Sequence, residues 1–474
     1  MSQAIVVGSG PNGLACAVEL ARNGVEVTVL EAKDRFGGGT RTSELTVPGL
    51  LHDDCSATHP MAVGSPFLRS LDLERHGLEW LWPEVDLAHP LDDGSAGVMV
   101  RSIEETARGL GGEDGAAWRR VFGSTSAHFQ ELLEDILRPV LHPPRHPVRL
   151  VRFGLAAAAP ATLLARSWRT PQARALFGGV AAHAFSPLNQ PLSSSVGCAL
   201  ICACHAFGWP VAKGGSQAIA EALASVLSEY GGTIETGRPV RAMADLGGAD
   251  AVVFDLGPEA VAEIAGDRLP ASTVRAYRRY RRAPGAFKLD LAVEGGVPWT
   301  NESCRRAGTV HVIGSFEEIV LAERAINRGS MPERPYLLVG QQYLADPQRS
   351  DGDVHPVWAY GHVPFGYRGD AGDAILRQIE RFAPGFRDRV VASKVRTPAD
   401  LEAYNANYLG GDIITGANTP VQLLFRPRLG LDPYSTGAPG LYICSAATPP
   451  GAGAHGMGGY NAARSVLRHL ESAK

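Results

Sequence analysis

Residues 4–13 read AIVVGSGPNG, and this stretch decides the fold. Its four leading apolar residues are typical of a buried parallel strand, and the glycine-rich turn opens into residues 14–22, which have helical character. Residues 25–30, VEVTVL, predict a second strand that ends at Glu31. Strand, glycine turn, helix, strand and acid follow one another as in a βαβ dinucleotide-binding unit.

The small and acidic residues of this unit have roles that follow from their chemistry. Gly8 permits the tight turn, Gly10 lets a pyrophosphate approach the backbone, and Gly13 lets the helix pack closely against the strand. The helix N-terminus offers free N–H groups and the positive end of its dipole to the phosphates. Glu31 is placed to accept hydrogen bonds from a ribose diol.

Two further segments resemble a known family. Residues 31–42 read EAKDRFGGGTRT, which resembles the E-A-x-x-R-x-G-G segment that wraps the FAD diphosphate in flavin-dependent amine oxidases and phytoene desaturases. Residues 440–459 read GLYICSAATPPGAGAHGMGG, which is similar to the second FAD motif of phytoene desaturase-like proteins. Amine oxidases usually have arginine directly after the glycine pair. This chain has Gly39 there, and Arg41 is the candidate cation instead.

The resemblance implies an FAD-dependent oxidoreductase similar to phytoene desaturases and carotenoid isomerases, within the flavin amine oxidase superfamily. Small residues in the second motif let the backbone lie against the isoalloxazine ring, and the helix that follows stabilises negative charge on reduced flavin. Val240 matches the family residue that contacts adenine. The residues expected to bind FAD are Gly8, Gly10, Pro11, Asn12, Gly13, Glu31, Ala32, Lys33, Gly38, Gly39, Thr40, Arg41, Val240, Ser445, Ala446, Gly456 and Met457.

The domain organisation follows from the positions of these segments, because 474 residues are too many for one compact core. The predicted class is α/β, with a discontinuous Rossmann-like FAD-binding domain of the glutathione reductase type. That domain is expected to comprise residues 1–75, 206–270 and 425–474. Residues 76–205 and 271–424 should form an inserted α+β substrate domain, for which the resemblance implies a mixed sheet.

Three residues are candidates for the chemistry. Residues 287–293 alternate like a strand, and Lys288 matches the lysine that holds a water beside flavin N5 in amine oxidases. The alternative is a lysine on a solvated strand face. His59 follows the first cofactor segment, and His455 lies in the second motif. Either imidazole could transfer protons near neutral pH. The alternative for His59, which we favour, is a hydrogen-bonded loop histidine, and the alternative for His455 is contact with the flavin edge without proton transfer.

Composition excludes several classes of partner. A net charge of -4 gives no general attraction to nucleic acid. The odd number of cysteines, seven, fits a reducing compartment, and without a signal-like segment we expect a cytoplasmic protein. Cys198, Cys202 and Cys204 lie in apolar surroundings and cannot supply four metal ligands by themselves, so we expect no metal site.

Residues 137–169 combine apolar residues with six arginines. Such a segment can lie on an anionic membrane, which would give the protein a peripheral membrane contact. Four prolines between positions 139 and 147 argue against one continuous amphipathic helix. We therefore favour a wall of the substrate domain with a solvated arginine face, and the membrane contact is the alternative.

The leading hypothesis for function is dehydrogenation of a small hydrophobic organic substrate. The substrate would pass a hydride to flavin N5 and lose a proton from the neighbouring atom, and oxygen or a quinone would reoxidise the flavin. The alternatives are redox-neutral double-bond isomerisation and amine oxidation. A flavin-free reading, as in guanine-nucleotide dissociation inhibitors, is disfavoured because both flavin segments are intact.

Overall fold

The computed structural model describes residues 2–472. Within that range the strands are β1 (Gln3–Val7), β2 (Glu26–Leu30), β3 (Thr42–Glu44), β4 (Leu51–Asp53), β5 (Trp80–Leu81), β6 (Val85–Pro90), β7 (Ala96–Met99), β8 (Val211–Ala212), β9 (Thr233–Glu235), β10 (Ala251–Phe254), β11 (Gly285–Glu294), β12 (Ala307–Val312), β13 (Leu337–Gly340), β14 (Val354–Val363), β15 (Val390–Arg396) and β16 (Leu441–Ile443).

The helices of the same residues are α1 (Pro11–Arg22), α2 (Pro60–Val63), α3 (Pro66–Arg69), α4 (Ile103–Leu110), α5 (Gly112–Trp118), α6 (Ser124–Ala127), α7 (Phe129–Ile136), α8 (Pro147–Ala157), α9 (Ala161–Leu164), α10 (Pro171–Ala182), α11 (Ser195–Phe207), α12 (Gln217–Glu229), α13 (Pro258–Ala265), α14 (Ala271–Arg278), α15 (Glu302–Arg305), α16 (Phe316–Asn327), α17 (Gly372–Phe382), α18 (Pro398–Tyr404), α19 (Pro420–Leu424) and α20 (Met457–Ser472).

The segments 1–75, 206–270 and 425–474, which the sequence assigns to the FAD-binding domain, are called here the cofactor half. A parallel sheet in the order β16-β10-β1-β2-β9 forms its centre. Its strands come from the beginning, the middle and the end of the chain, and every neighbouring pair is parallel. The predicted βαβ unit is β1, α1 and β2. Helix α1 begins with Pro11, whose fixed φ suits the first helical position, and Gly10 is its N-cap. This sheet confirms the predicted Rossmann-like α/β class.

A second, mixed sheet has the order β15-β11-β14-β13-β12-β6-β7. All its neighbouring pairs are antiparallel except β12 with β6. Its strands lie within residues 76–205 and 271–424, the ranges that the sequence assigns to the substrate domain and that we call the substrate half. The mixed sheet that the resemblance implied is therefore present.

The two faces of the mixed sheet differ in chemistry. One face contributes Phe287, Leu289 and Val357 to an apolar core that also contains Ile375 and Ile379 of α17. Residues opposite each other in neighbouring strands point to the same side of a sheet. The strand register therefore places one row on the other side, which we call the polar face: Arg396, Lys288, Tyr360, Leu338 and His311. The polar face lies towards the cofactor half, where Arg396 pairs with Asp54.

In residues 2–472 no single helix has both the length and the apolar character to cross a membrane. The helices Pro147–Ala157 and Ala161–Ser167 reach that length and hydropathy only together, and they meet at an angle of 90°.

Candidate functional site

The glycine turn between β1 and α1 has the geometry of a phosphate-binding loop. Gly8 has φ +101°, a conformation that favours glycine. A Cβ on Gly13 would overlap the carbonyl oxygen of Gly8, so the helix can approach the strand only with glycine there. The N-cap residue of α1 is Gly10, which has no side chain to cap the helix, and Asp255 Oδ2 instead accepts the N–H of Gly13 at 3.0 Å. The positive end of the dipole of α1 lies at this turn and favours an anionic ligand.

Glu31 at the end of β2 is buried and held in place. Its carboxylate accepts hydrogen bonds from the backbone N–H and the hydroxyl of Ser9, and from the backbone N–H of Lys33 at 2.9 Å. Nη2 of Arg41 lies 3.3 Å from Oε1 of Glu31, the oxygen that also accepts the N–H of Lys33. Arg41 is itself buried, and its Nε donates to the carbonyl of Arg35 at 2.9 Å. The two predicted cofactor residues Glu31 and Arg41 are thus in direct contact.

The second glycine segment packs on the first. Gly38 has φ +55°, and a Cβ there would lie 2.8 Å from the Cα of Gly10. Thr40 closes the turn by donating to the carbonyl of Gly37 at 2.8 Å. Gly39, the residue that stands where amine oxidases usually have arginine, faces the hydroxyl of Tyr408, which a Cβ would overlap. Its small size therefore makes room for a tyrosine from the other half of the molecule.

The C-terminal motif completes the same region. Strand β16 pairs with β10, which in turn pairs with β1. A Cβ on Gly459 would overlap the carbonyl oxygen of Asn12, so α20 and α1 touch at their first turns. The amide N–H of Gly459 donates to Asn12 Oδ1 at 3.3 Å. Ser445 is buried two residues after the end of β16, and Ala446 follows it. The two ends of the chain thus meet, as the motifs predicted.

The two glycine segments and the start of α20 together form what we call the cofactor cradle. The remaining predicted cofactor residues border it. Ala32 and Lys33 follow β2, and Lys33 Nζ donates to the carbonyl of Ala403 at 2.7 Å. Val240 packs at the edge of an apolar cluster that contains Val7 and Leu30. Glycines that leave no space for a side chain line the cradle from both ends of the chain, and the acid at the end of β2 is in place. These residues fit a long dinucleotide such as FAD.

Lys288 lies buried on the polar face. Its exposed fraction is 2%, so it does not lie on a solvated strand surface. Its ammonium pairs with Asp290 and lies 5.6 Å from the ring centre of Trp358. Burial lowers the pKa of Lys288 below its ordinary value, and the Asp290 carboxylate opposes that shift. Asp290 Oδ1 is 3.7 Å from the Nδ1 of His52 in β4, which brings Lys288 to the border of the cofactor half.

The two histidine candidates are hydrogen-bonded within their own surroundings. His59 Nε2 is 2.8 Å from the hydroxyl of Ser216, and burial lowers the pKa of His59 to about 4. His455 Nδ1 accepts the backbone N–H of Met457 at 3.1 Å, and burial lowers its pKa to about 4 as well. His455 therefore caps the start of α20. Both imidazoles are neutral at pH 7. Among the described residues, neither histidine is hydrogen-bonded to Lys288.

Three features of this region escaped sequence reasoning. Asp255 follows β10 and places its carboxylate in the glycine turn, where Oδ2 accepts the N–H of Gly13 at 3.0 Å. Arg426 is buried beside the second motif, with Nη1 3.5 Å from the carbonyl of Ala446 and no carboxylate within ion-pair distance in residues 2–472. His362 pairs with Glu323 at 2.7 Å on the polar face. All three depend on tertiary contacts, so no local motif marks them.

Cys198, Cys202 and Cys204 lie buried on α11. Burial raises the pKa of Cys202 to about 12, which keeps it a thiol. Among the residues that the structure describes, no group of three or more histidine, cysteine, aspartate or glutamate side chains is arranged to hold a metal ion.

Comparison with known proteins agrees with this architecture. Residues 6–70 match the family model described as an NAD(P)-binding Rossmann-like domain. The chain is 24% identical to pyridine nucleotide-disulfide oxidoreductase domain-containing protein 2 of Rattus norvegicus, over 99% of the chain and 94% of that protein. It is 27% identical to hydroxyneurosporene desaturase of Cereibacter sphaeroides, over 62% of the chain and 64% of that protein.

A solved structure of a putrescine oxidase mutant has the same fold. It superposes with a TM-score of 0.64 at 16% identity and covers 99% of each chain. Taken together, these similarities confirm the Rossmann-like α/β fold, which the chain shares with the putrescine oxidase, and the two relatives are named as an oxidoreductase-domain protein and a desaturase.

Proposed function

We propose that the protein dehydrogenates a hydrophobic organic substrate, which passes a hydride to flavin N5 and is left with a new double bond. The observation that carries this proposal is a buried cluster at the border of the two halves, called here the interdomain cluster. Its members are Ala57, Phe185, Ala283, Ala286, Leu338, Trp358, Tyr360 and Leu401. Apolar and aromatic side chains enclose such a site and exclude water from it.

FAD, when bound, supplies the chemistry by taking two electrons and a hydrogen from the substrate as a hydride. The protein's own residues then have three tasks. The glycine turn and Glu31 bind the dinucleotide, and the interdomain cluster orients the substrate. Lys288, whose ammonium is buried beside Trp358, is placed to hold a water or oxygen molecule near the reacting centre. Arg426 brings positive charge to the second motif, where reduced flavin would carry negative charge.

The test is the visible spectrum of the purified protein, followed by anaerobic mixing with candidate substrates. We expect flavin absorption bands that bleach with at least one compound, because hydride transfer reduces the flavin. Air or a soluble quinone added afterwards should restore the bands and identify the electron acceptor. If the bands never bleach and product forms only after chemical reduction, the enzyme is an isomerase.

We also propose a peripheral membrane contact through α8. Val148, Val151 and Leu155 are 81%, 64% and 76% exposed and lie on one side of the helix. Arg152 and Arg166 are exposed nearby, and neither has a carboxylate within ion-pair distance in the described residues. An exposed apolar stripe beside unpaired arginines suits an anionic lipid surface.

Sedimentation with phosphatidylcholine vesicles, with and without phosphatidylglycerol, tests the membrane contact. We expect binding only to the anionic vesicles, and its loss in the triple variant Val148→Ser, Val151→Ser, Leu155→Ser. Leu321→Ser is the matched control, because Leu321 is 62% exposed but lies on α16. Equal binding by the triple variant and the control would contradict the proposal.

A further inference from the structure

Several buried polar atoms on or beside the polar face have no hydrogen-bond partner among the described residues. His362 Nε2, Glu323 Oε2, Trp358 Nε1 and His311 Nδ1 are buried and have no hydrogen-bond partner among the described residues. Interior polar atoms are normally paired, and leaving one unpaired costs free energy. Two of these atoms, those of His362 and Glu323, belong to one hydrogen-bonded pair. They point to a ligand that supplies the missing donor.

The contact between His362 and Glu323 determines which nitrogen of the imidazole donates and which accepts. His362 Nδ1 is 2.7 Å from Glu323 Oε1, and the side chains are 1% and 0% exposed. Because Nδ1–H donates to the carboxylate, Nε2 is left as a hydrogen-bond acceptor. No lysine or arginine lies within ion-pair distance of Glu323 in residues 2–472, so His362 is its one ion-pair partner there. His362 Nε2 and Glu323 Oε2 are thus two acceptor atoms of one hydrogen-bonded pair, and neither has a donor among the described residues.

The position of the pair connects it to the proposed substrate site. Ala286 of β11 lies opposite His362, two residues before Lys288, and His362 shares the polar face with Tyr360. The ring of Phe185 stacks on His362 with the ring centres 3.7 Å apart and an angle of 24°. Ala286, Phe185 and Tyr360 all belong to the interdomain cluster. The unpaired acceptor therefore lies at the edge of that cluster.

We propose that Glu323 and His362 form the polar anchor and proton acceptor for the substrate, and that the substrate carries a hydroxyl or amino group. This inference rests on the proposed dehydrogenation and narrows it. The substrate's C–H hydrogen leaves with both electrons as a hydride to oxidised flavin. The O–H or N–H proton moves to His362 Nε2, and the C–O or C–N bond becomes a double bond. A pure hydrocarbon would leave both acceptors unpaired.

Binding of a matched series tests the anchor. The probes are benzyl alcohol, benzylamine and toluene, added anaerobically to the flavin-loaded protein and followed by flavin absorption and tryptophan fluorescence. We expect the alcohol or the amine to bind at least about tenfold more tightly than toluene, because only these two donate to Nε2. Equal affinities across the series, including no detectable binding of any member, would overturn the proposal.

Two variants test whether the preference for the alcohol or the amine over toluene depends on His362 and Glu323. His362→Phe keeps an aromatic ring against Phe185 but removes the acceptor, so the three affinities should fall within about twofold of one another. Glu323→Gln keeps the size of the side chain, removes the charge and should reduce the preference. His355→Phe is the matched control, because His355 lies on the same strand but on the other face, where it stacks on Tyr343.

Binding and flavin reduction are read separately in this experiment. If the wild type prefers the alcohol or amine but no compound bleaches the flavin, the anchor stands and the proposed dehydrogenation fails. If the flavin bleaches equally fast in the wild type and His362→Phe, with the binding preference unchanged, the dehydrogenation stands and the anchor fails.

Discussion

At the scale of single residues, Asp255 is the least expected group in the cofactor cradle. Its carboxylate lies at the start of α1, where a Cβ on Gly10 would be 2.6 Å from Oδ2. Burial raises the pKa of Asp255 to about 7, the N–H of Gly13 opposes the shift, and the charge of Glu31 adds to it. An ionised carboxylate there would repel the diphosphate of a dinucleotide. The protonation of Asp255 should therefore govern both folding and cofactor affinity.

The gain in stability that we expect from Asp255→Asn should grow as the pH rises. Because the folded-state pKa is raised, the native protein holds a proton that the unfolded chain has lost, and stability falls as pH rises from about 4 to about 7. We expect the melting temperature of the variant to exceed that of the wild type more at pH 8 than at pH 5. FAD should also bind the variant more tightly at pH 8, as fluorescence titration of the apoprotein would measure.

Asp250→Asn serves as the control for this prediction, because Asp250 is exposed just before the same strand. Its difference from the wild type should not change between the two pH values. A constant difference for Asp255→Asn would show that its carboxyl does not titrate in this window. The sequence could not reveal this group, because Asp255 reads as the end of a strand and its contact with Gly13 forms only when β10 lies beside β1.

At the scale of elements, the end of α18 and the residues that follow it pack against the second glycine loop. Tyr404 donates to the carbonyl of Gly38 at 2.8 Å, and Tyr408 occupies the space beside Gly39. Gly39 does not have a positive φ, so its substitution meets steric overlap alone. We expect Gly39→Ala to lower stability by roughly 1–3 kcal/mol, as overpacking does, and to weaken FAD retention. Urea unfolding and gel filtration of the flavin-loaded protein would measure both effects.

Removal of the Tyr408 hydroxyl should restore part of the stability that Gly39→Ala loses. Tyr408→Phe combined with Gly39→Ala is expected to be more stable than the sum of the single variants, because the two residues are in contact. Gly109→Ala is the control, since a Cβ there meets no atom within 4 Å. Strict additivity of the two substitutions would contradict the contact.

The predicted and unpredicted parts of these elements differ in a physical way. The strand, turn and helix around Gly8 to Glu31 follow from local rules of backbone conformation and hydrophobic pattern, and the structure has them where expected. The arginine-to-glycine departure at Gly39 was visible in the sequence, but its cause was not. Tyr408 reaches that place through the chain's return to the cofactor half, which no local pattern encodes.

At the scale of the whole molecule, buried ion pairs join the two halves. Arg349, from the substrate half, lies 2.5 Å from Asp53 of β4 and 3.0 Å from Asp346, and all three side chains are at most 1% exposed. Arg396 of β15 contacts Asp54 at 2.8 Å. The sequence predicted the two halves from the order of the motifs. It could not predict the pairs between them, because charged residues in a sequence do not reveal which ones will be buried together.

The substitution Arg349→Met removes the partner of a buried carboxylate, that of Asp53. Burial alone would raise the pKa of Asp53, but Arg349 and the N–H of Ser216 lower it overall. In the wild type this group therefore adds stability above its unfolded pKa, near 4, and the contribution is lost as pH falls. Without Arg349, burial dominates and the sign reverses. We expect a loss of about 3–5 kcal/mol at pH 7 that shrinks towards pH 4.

Urea unfolding at pH 4 and pH 7 measures that reversal, and Asp53→Asn added to Arg349→Met should recover much of the loss at pH 7, because it removes the uncompensated charge. Arg306→Met is the control. Its pair with Glu84 is 43% and 65% exposed, so its removal should cost at most about 1 kcal/mol at either pH. A similar small cost for Arg349→Met would mean that the buried pair of Arg349 with Asp53 adds little to stability. A large cost with a single unfolding transition would mean that the buried pairs make the two halves fold as one unit.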